Sequence, residues 1–210
     1  MVDGDSSSGL VRSAILAGGA ASRFSGKSKG LEKVGGERIL DRVIRVLESA
    51  VENPPLLVAN ADEAQSWVKR LVVVNDIMPH RGSLGGIYSV VARCPDPALV
   101  VAWDMPFLKV ELLKALIVGA SDFDVYLPES NGPLGFEPLC GIYSPECAEP
   151  IKTALEQEDL RTSSFHKHVR VGTLALTEVK MLGDPDVLFF NVNTPDDVAK
   201  AEQLWQDQSG

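Results

Sequence analysis

Three cationic side chains lie close together in a glycine-rich stretch near the start of the chain. Arg23, Lys27 and Lys29 fall within residues 16–30, just after the adjacent glycines Gly18 and Gly19. Two glycines let the backbone turn sharply and approach a ligand without an intervening Cβ. Exposed backbone N–H groups and cations together bind phosphate oxygens. The stretch therefore predicts a cradle for a polyphosphate, and a solvated basic loop is the alternative.

Two familiar phosphate-binding patterns do not fit this stretch. Gly26-Lys27-Ser28 matches the end of the P-loop pattern, but the first glycine of that pattern would fall at Ala21. The dinucleotide pattern Gly-x-Gly-x-x-Gly fails because the first two glycines are adjacent and no third glycine stands at its place.

A lone carboxylate follows a predicted buried strand in the middle of the chain. Asp104 comes directly after the apolar run 99–103 and before Met105-Pro106-Phe107. Mg2+ takes one or two carboxylates and completes its shell with water and phosphate oxygens. Together with the predicted phosphate loop, this position favours a magnesium ligand. An aspartate that caps a helix or stabilises a turn is the alternative.

The elements that must position these residues are strands alternating with helices, without an internal repeat or a long linker. The predicted strands are 14–17, 56–59, 71–74, 98–103, 125–127, 139–143 and 187–190. Continuous apolar strands separated by helices indicate a mainly parallel sheet covered on both faces. The predicted fold class is α/β, a Rossmann-like three-layer sandwich with a mostly parallel central sheet. Thr194 as cap and Pro195 at the first helical position predict the start of the last helix.

Polar residues follow four of these strands. Asn60 ends the second strand, Asn75-Asp76 the third and Asp104 the fourth, while the glycine-rich loop follows the first. In a doubly wound sheet, ligands bind outside the carboxyl ends of the strands. The four strand ends therefore predict one shared site, although Asn60 could also be an ordinary turn asparagine.

The composition limits the class of protein. A chain of 210 residues with 45% hydrophobic and 23% charged residues suits one well-buried domain. Its net charge of −9 argues against a general nucleic-acid binder, which needs clustered cations. Cys94, Cys140 and Cys147 lack the number and spacing of a disulfide framework or zinc site, so we expect reduced thiols and a cytoplasmic protein. The sequence predicts no membrane span, and residues 1–10 are predicted to be a disordered tail.

The glycine-rich stretch resembles the opening motif of nucleotidyltransferases of the molybdenum-cofactor and sugar-nucleotide type. That motif reads Leu-Ala-Gly-Gly, then Arg, then Met or Phe, and a Lys a few residues on. The positions that fit it in order are Leu16, Ala17, Gly18, Gly19, Arg23, Phe24 and Lys29. The resemblance implies the nucleotide-diphospho-sugar transferase type of this fold.

The same resemblance assigns roles to residues at the other strand ends. In those enzymes the aspartate at the position of Asp104 binds magnesium and contacts the nucleotide. Asp76 and Asn60 match a second aspartate and an asparagine at the nucleotide. Residues 82–86 resemble a Gly-Pro-Leu-x-Gly turn, with serine in place of proline. Gly82 and its neighbours could bring backbone groups against a purine edge, and a simple helix start is the alternative.

The second half of the chain resembles a narrower group. Residues 189–197 are similar to the Asn-Val-Asn-Thr-Pro-Glu-Asp ending of molybdenum cofactor guanylyltransferases, a MobA-like family, and residues 137–143 resemble their pre-strand segment. Arg161 also precedes a helix as in that group. The resemblance implies that Asn191 and Asn193 face a pterin acceptor, whereas capping of the last helix is the alternative.

The resemblance implies a Mg2+-dependent transfer of GMP from GTP to the phosphate of molybdenum-bearing molybdopterin, with release of pyrophosphate. Arg23, Lys29 and Asp104 are the implied catalytic residues. The expected organisation is one domain over residues 11–210, with nucleotide and metal in its first half and the acceptor in its second. Implied partners are GTP, a molybdopterin-type acceptor, other cofactor-biosynthesis proteins and apo-molybdoenzymes. The alternatives are a cytidylyl- or sugar-phosphate transferase of this fold, or a non-catalytic nucleotide-binding subunit in cofactor assembly.

Overall fold

A seven-stranded sheet forms the centre of the computed structural model, which describes residues 11–18 and 29–209. The predicted tail and residues 19–28 of the predicted phosphate cradle, which include Gly19 and Arg23, lie outside the described residues. The strands are β1 (Arg12–Leu16), β2 (Lys33–Val34), β3 (Glu37–Arg38), β4 (Leu56–Val58), β5 (Val73–Val74), β6 (Ala98–Ala102), β7 (Val125–Pro128), β8 (Cys140–Tyr143) and β9 (Val171–Leu174). β2 and β3 pair as a separate antiparallel ribbon.

The order of the strands in the main sheet is β5-β4-β1-β6-β8-β7-β9. β5, β4, β1 and β6 pair in parallel, as β7 does with β9. β8 is antiparallel to both of its neighbours, so its first residue lies at the edge where β6 ends. The chain moves outward from β1 to β5 and then returns to the other side of β1 as β6. The carboxyl ends of β1 and β6 therefore form the switch point at which such sheets bind ligands.

Helices cover both faces of this sheet. They are α1 (Ile39–Ala50), α2 (Ala64–Trp67), α3 (Gly82–Val91), α4 (Val110–Gly119), α5 (Ala148–Glu156), α6 (Leu176–Leu182), α7 (Pro185–Leu188) and α8 (Pro195–Ser209). Successive strand residues point to opposite faces, so Ile15 packs in the core with α1 and α4, and Ala14 in the core with α3 and α5. This arrangement confirms the predicted three-layer α/β fold. No helix within the described ranges is both long and apolar enough to cross a bilayer.

The predicted strand at 187–190 is wrong. Residues 185–188 form helix α7, which begins with Pro185 and is capped by the Asp184 side chain, an acceptor for the amide of Asp186 at 3.0 Å. Proline at the first turn and an aspartate cap favour a helix, and they outweigh the short apolar run. β9 and α6 were not predicted. β9 is an edge strand with mostly exposed or partly buried residues, so it lacks the apolar run of the central strands.

The predicted start of the last helix is confirmed, and α8 packs against the β2–β3 ribbon. The Thr194 hydroxyl accepts the amide of Asp197 at 3.2 Å. In the ribbon turn, a Cβ on Gly35 would lie 2.3 Å from the Trp205 indole nitrogen, and the Gly35 φ of +60° is left-handed. Glycine therefore permits both the turn and the close approach of the helix. The contact secures the C-terminal helix against the first half of the chain.

Candidate active site

Lys29, Asp104 and Asn193 form one hydrogen-bonded cluster at the switch point. The Lys29 ammonium donates to Asp104 Oδ2 and, at 2.7 Å, to Asn193 Oδ1. Lys29 begins a short 3-10 turn, and Asp104 follows β6 with only Trp103 between them. Asp104 is 5% exposed. The structure thus brings together three of the residues that the sequence singled out.

The segment before α8 is attached to the end of β6 through the backbone. The Val192 amide donates to the Asp104 carbonyl at 2.9 Å, and the Asn193 amide donates to the Asp197 carboxylate at 2.9 Å. These bonds hold the Asn193 side chain beside Lys29, while Thr194 caps the helix. The Asn191 amide group instead donates to the Phe189 carbonyl at 2.8 Å. Asn193 therefore joins the cluster, and Asn191 stabilises its own turn.

The donor set around Asp104 suits a magnesium ion. Asp104 Oδ1 is buried and has no hydrogen-bond partner in the described part of the chain. A buried anionic oxygen without a partner is costly, so a cation bound there would offset the cost. The described residues include no group of three or more His, Cys, Asp and Glu side chains placed to hold a metal. This suits Mg2+, which uses few protein carboxylates and takes its remaining ligands from water and phosphate.

The first two residues of the glycine-rich motif, Leu16 and Ala17, are held in the sheet, and its exposed part begins at Gly18. The Ala17 amide already donates to the Val58 carbonyl at 2.8 Å, and the Leu16 carbonyl accepts the Trp103 amide at 3.3 Å. Leu16 and Ala17 are also buried, whereas Gly18 is exposed. Leu16 therefore ends β1, and the amide of the next residue, Ala17, is not free to bind phosphate.

Trp103 supports the turn that carries Lys29. Trp103 is 4% exposed, and its ring stacks on that of Trp67 with 5.1 Å between the centroids. A Cβ on Gly30 would lie 2.4 Å from the Trp103 ring, so the glycine backbone lies directly on the indole. Gly30 follows Lys29 and Trp103 precedes Asp104. The contact between Gly30 and Trp103 therefore holds the Lys29 and Asp104 side chains next to each other. Sequence reasoning missed this contact, because Gly30 and Trp103 are far apart in the chain and meet only in the folded structure.

Asn60 and Asp76 pair across the ends of β4 and β5. Asn60 Nδ2 donates to Asp76 Oδ2 at 2.7 Å, and the Asp76 amide donates to Asn60 Oδ1 at 2.9 Å. The buried Ser89 hydroxyl lies 2.8 Å from both the Ile77 amide, which donates to it, and the Gly85 carbonyl. Ser89 thereby secures the residue that follows Asp76. Nothing in its sequence neighbourhood marks this role.

Gly82 is the first residue of α3, as the helix-start alternative predicts. Its φ is +60°, a left-handed conformation that favours glycine. Further along the helix, a Cβ on Gly86 would lie 3.1 Å from a Leu16 methyl group, so α3 packs closely on β1. The N-terminus of α3 therefore lies at the ligand-binding edge, close to the end of β1.

Glu137 is a further acid at this edge. It is partly buried and precedes β8, and its Oε1 accepts the Leu139 amide at 3.2 Å. Burial, together with the charge of Asp104, raises the pKa of Glu137 to about 6. The sequence placed this residue only within a pre-strand segment, because the reversal of β8 cannot be seen in a linear pattern.

Comparison with known proteins places these features in a family. Residues 13–171 match the family model described as the MobA-like NTP transferase domain. A molybdenum cofactor guanylyltransferase of Desulfosudis oleivorans is 33% identical over 195 residues, which cover 91% of this chain and 94% of that protein. A probable molybdenum cofactor guanylyltransferase of Pelotomaculum thermopropionicum is 34% identical over 195 residues, covering 90% and 91%.

A solved structure also shares the fold. The molybdopterin-guanine dinucleotide biosynthesis protein A of Archaeoglobus fulgidus superposes with a TM-score of 0.77 at 24% identity, over 93% of this chain and 99% of that one. A 4-diphosphocytidyl-2C-methyl-D-erythritol synthase of Anaerococcus prevotii superposes with a TM-score of 0.70 at 14% identity, over 95% and 97%. The fold is therefore shared by proteins whose names specify different nucleotides.

Proposed function

This chain belongs to the MobA-like NTP transferase family, and we propose that it transfers GMP from GTP to the phosphate of molybdenum-bearing molybdopterin, releasing pyrophosphate. Relatives that are 33% and 34% identical over nine-tenths of the chain carry the guanylyltransferase name. The observation that carries the proposal is the cluster of Lys29, Asp104 and Asn193. The cluster brings together the turn at Lys29, the residue that follows the end of β6, and the segment before α8.

Nucleotidyl transfer asks the protein mainly for positioning and charge neutralisation. Gly18 begins the loop that receives the β- and γ-phosphates, and Lys29 stabilises the departing pyrophosphate. Arg23, from the same motif, contributes a second cation. Because both groups act on the leaving pyrophosphate, they lower the free energy of the transition state more than that of bound GTP.

Asp104 is the proposed magnesium ligand. Bound there, Mg2+ supplies Lewis-acid neutralisation of the phosphate oxygens. Asp104 Oδ1, which has no partner among the described residues, would hold the cation, and the neighbouring Lys29 ammonium would face the phosphate oxygens. The attacking phosphate needs no general base, because its second pKa of about 6 leaves it ionised near neutral pH.

The two halves of the domain, residues 11–210, bind the two substrates in this proposal. The Asn60–Asp76 pair and Gly82 lie at the edge formed by β4, β5 and α3, where the nucleoside binds. Leu16 and Ala17 lead from β1 into the proposed phosphate loop, to which Gly19 belongs by sequence. Asn191 and Asn193 precede α8 and bind the acceptor. Asn193 contacts Lys29 directly, so the acceptor phosphate arrives beside the reacting phosphate.

Pyrophosphate release tests this function. We expect release only when GTP, Mg2+ and molybdenum-loaded molybdopterin are all present, and little release with CTP, ATP or UTP. Preference for CTP would replace the guanylyl assignment by a cytidylyl one. Tight GTP binding without any release in the complete mixture would favour a non-catalytic subunit and contradict the proposal.

A further inference from the structure

We propose that Arg42 is a positioning residue for the transfer, because it holds α8 on the β2–β3 ribbon through Trp205 and thereby keeps Asn193 beside Lys29. This inference rests on the proposed nucleotidyl transfer. It concerns the acceptor, because Asn193 lies in the segment before α8 to which acceptor binding is assigned. It adds to the site a residue of α1 that acts only through other residues.

The turn that carries Lys29 is held by contacts outside α8. The Glu32 amide donates to the Lys29 carbonyl at 3.1 Å, and the Glu32 carbonyl accepts the amide of Ile39, the first residue of α1, at 2.9 Å. Gly30 also packs on the Trp103 ring. The β2–β3 ribbon follows this turn directly and ends where α1 begins. The ribbon and α1 therefore form a fixed support against which α8 is placed.

α8 has few apolar contacts that could fix its position. Of its side chains in the described part of the chain, only Ala201 is fully buried. Val198, Leu204 and Trp205 are partly buried against the core. The hydrophobic contribution grows with the apolar area removed from water, and this area is small for a helix of 15 residues. We therefore expect polar contacts to contribute to the placement of α8.

Arg42 supplies such a contact from the buried face of α1. Its side chain is 7% exposed, and Nη2 donates to the carbonyl of Val34 in the ribbon at 2.8 Å. The guanidinium carbon lies 4.0 Å from the centroid of the Trp205 ring. A cation over an aromatic face is attracted by the ring quadrupole, and the attraction is stronger when the pair is desolvated. One guanidinium therefore connects α1, the ribbon and α8.

The ribbon turn contacts the same part of α8. The Glu202 carboxylate accepts the Gly35 amide, with 3.1 Å to each of its oxygens. The Gly35 backbone also lies on the Trp205 indole, where a Cβ would be 2.3 Å from the ring nitrogen. Glu37 Oε2, on β3, lies 3.4 Å from Arg42 Nη2 and offsets its charge. These contacts hold α8 at its second half, away from Asn193.

The helix itself connects this attachment to Asn193. The Asn193 amide donates to the Asp197 carboxylate at 2.9 Å, so Asn193 is bonded to the first turn of α8. The helix rises about 15 Å between its start and Trp205. Because it is continuous, a change of its tilt at Trp205 displaces Asn193, whose Oδ1 lies 2.7 Å from Lys29 Nζ. A displacement of about 1 Å is enough to misalign reacting groups.

Amide hydrogen exchange in the full-length protein without substrates tests the positioning directly. The Val192 amide donates to the Asp104 carbonyl, so its exchange rate reports whether the segment before α8 stays on the end of β6. We expect Arg42→Met to raise this rate about tenfold, by local opening, and to raise that of Val100 in the centre of β6 by less. Equal acceleration at both amides would make Arg42 a contributor to global stability only and overturn the proposal. An unchanged rate at Val192 would also overturn it.

Kinetics with the acceptor varied connect this placement to transfer. At saturating GTP, Arg42→Met should lower kcat/KM for molybdenum-loaded molybdopterin about 10- to 100-fold, with little change in the KM for GTP. Asn193→Ala removes the side chain through which Arg42 acts, so the double variant should lose little more than Asn193→Ala alone. Additive losses would overturn the proposal. The matched control Arg45→Met changes an exposed neighbour that also pairs with Glu37, and it should behave as the wild type in both measurements.

Substitutions of Trp205 provide an independent check if Arg42→Met folds poorly. Trp205→Leu removes the aromatic face and should reproduce both effects, whereas Trp205→Phe retains a face and should show smaller ones. Wild-type exchange at Val192 and wild-type kinetics in a folded Trp205→Leu protein would refute the proposal. A wild-type protein that releases no pyrophosphate in the complete mixture would instead contradict the proposed function. The exchange comparison needs no substrate and would still decide whether Arg42 positions Asn193.

Discussion

Lys29 and Asp104 are 75 residues apart in the sequence, and their side chains form an ion pair where β6 ends. The pair is largely buried, with 19% of the lysine side chain and 6% of the aspartate side chain exposed. The ion pair joins the 3-10 turn that begins at Lys29 to the segment after β6 that contains the proposed metal ligand. The same lysine also contacts Asn193, so one cation connects both halves of the domain.

Removing either member of this pair should abolish transfer. We expect Lys29→Ala and Asp104→Ala each to lower kcat/KM by at least about 100-fold, since each removes transition-state charge stabilisation. Lys29→Ala also leaves a buried carboxylate unpaired and should cost about 3 kcal/mol of stability. The double variant should regain part of that stability but no activity. Pyrophosphate release and urea unfolding measure the two effects. Lys33→Ala, an exposed cation on β2, is the control, and near-normal transfer in Lys29→Ala would remove the assigned role.

Substitution of Gly30 should displace the Lys29–Asp104 ion pair, because Gly30 packs on the Trp103 ring beside it. Gly30→Ala places a methyl group 2.4 Å from the Trp103 ring, and we expect a loss of roughly 1–3 kcal/mol from overpacking together with reduced kcat. Trp103→Leu combined with Gly30→Ala should restore part of the stability and part of kcat, because the smaller side chain leaves space for the methyl group. Gly132→Ala, in a surface turn, should change neither stability nor transfer. If Gly30→Ala has wild-type kcat, the indole does not position Lys29.

Ser89 should act on the nucleotide through Asp76. Ser89→Ala removes the acceptor of the Ile77 amide, and we expect a stability loss of about 1–3 kcal/mol and a severalfold higher KM for GTP with kcat little changed. Asp76→Ala and Asn60→Ala should raise the same KM further. Steady-state kinetics at varied GTP concentration measure KM and kcat for each variant. Ser66→Ala, which changes an exposed residue of α2, is the control. A fall in kcat with KM constant would show that this pair does not bind the nucleotide.

An ion pair at the opposite edge of the sheet should make stability depend on pH. The hydrogen bond from Arg170 lowers the pKa of Asp124 below its usual value of 3.8. The pair therefore contributes its full stability above about pH 4 and loses it as the pH falls through the lower folded-state pKa. Asp124→Asn should be less stable than the wild type at pH 7, and the loss should be small because the Arg170 side chain is mostly exposed.

Urea unfolding at pH 7, 5 and 3 tests that dependence. The difference between wild type and Asp124→Asn should be equal at pH 7 and 5 and smaller at pH 3. Transfer at pH 7 should be unaffected, because Asp124 precedes β7 and lies away from the carboxyl ends of the parallel strands. A difference that grows on acidification would contradict the direction of the pKa change.

Local signals in the sequence were sufficient for the central strands and for the start of α8. Runs such as residues 98–102 are apolar because both faces of the sheet are covered, so burial is visible in the composition of the run. The same reasoning failed at residues 187–190, where cap and proline chemistry overrode an apolar run. It also missed β9, an edge strand whose residues are mostly exposed or partly buried.

The sequence by itself determined the glycine-rich motif, the aspartate after β6 and the capped final helix, because each depends on neighbours within a few residues. Only the tertiary structure decided that Asn193 meets Lys29 across 164 positions, that Ser89 secures the residue after Asp76, and that the antiparallel strand β8 begins at the edge where β6 ends. Strand order, direction and register follow from the packing of both faces of the sheet at once. The free energy that selects them is spread over many distant contacts, so no local pattern of residues carries it.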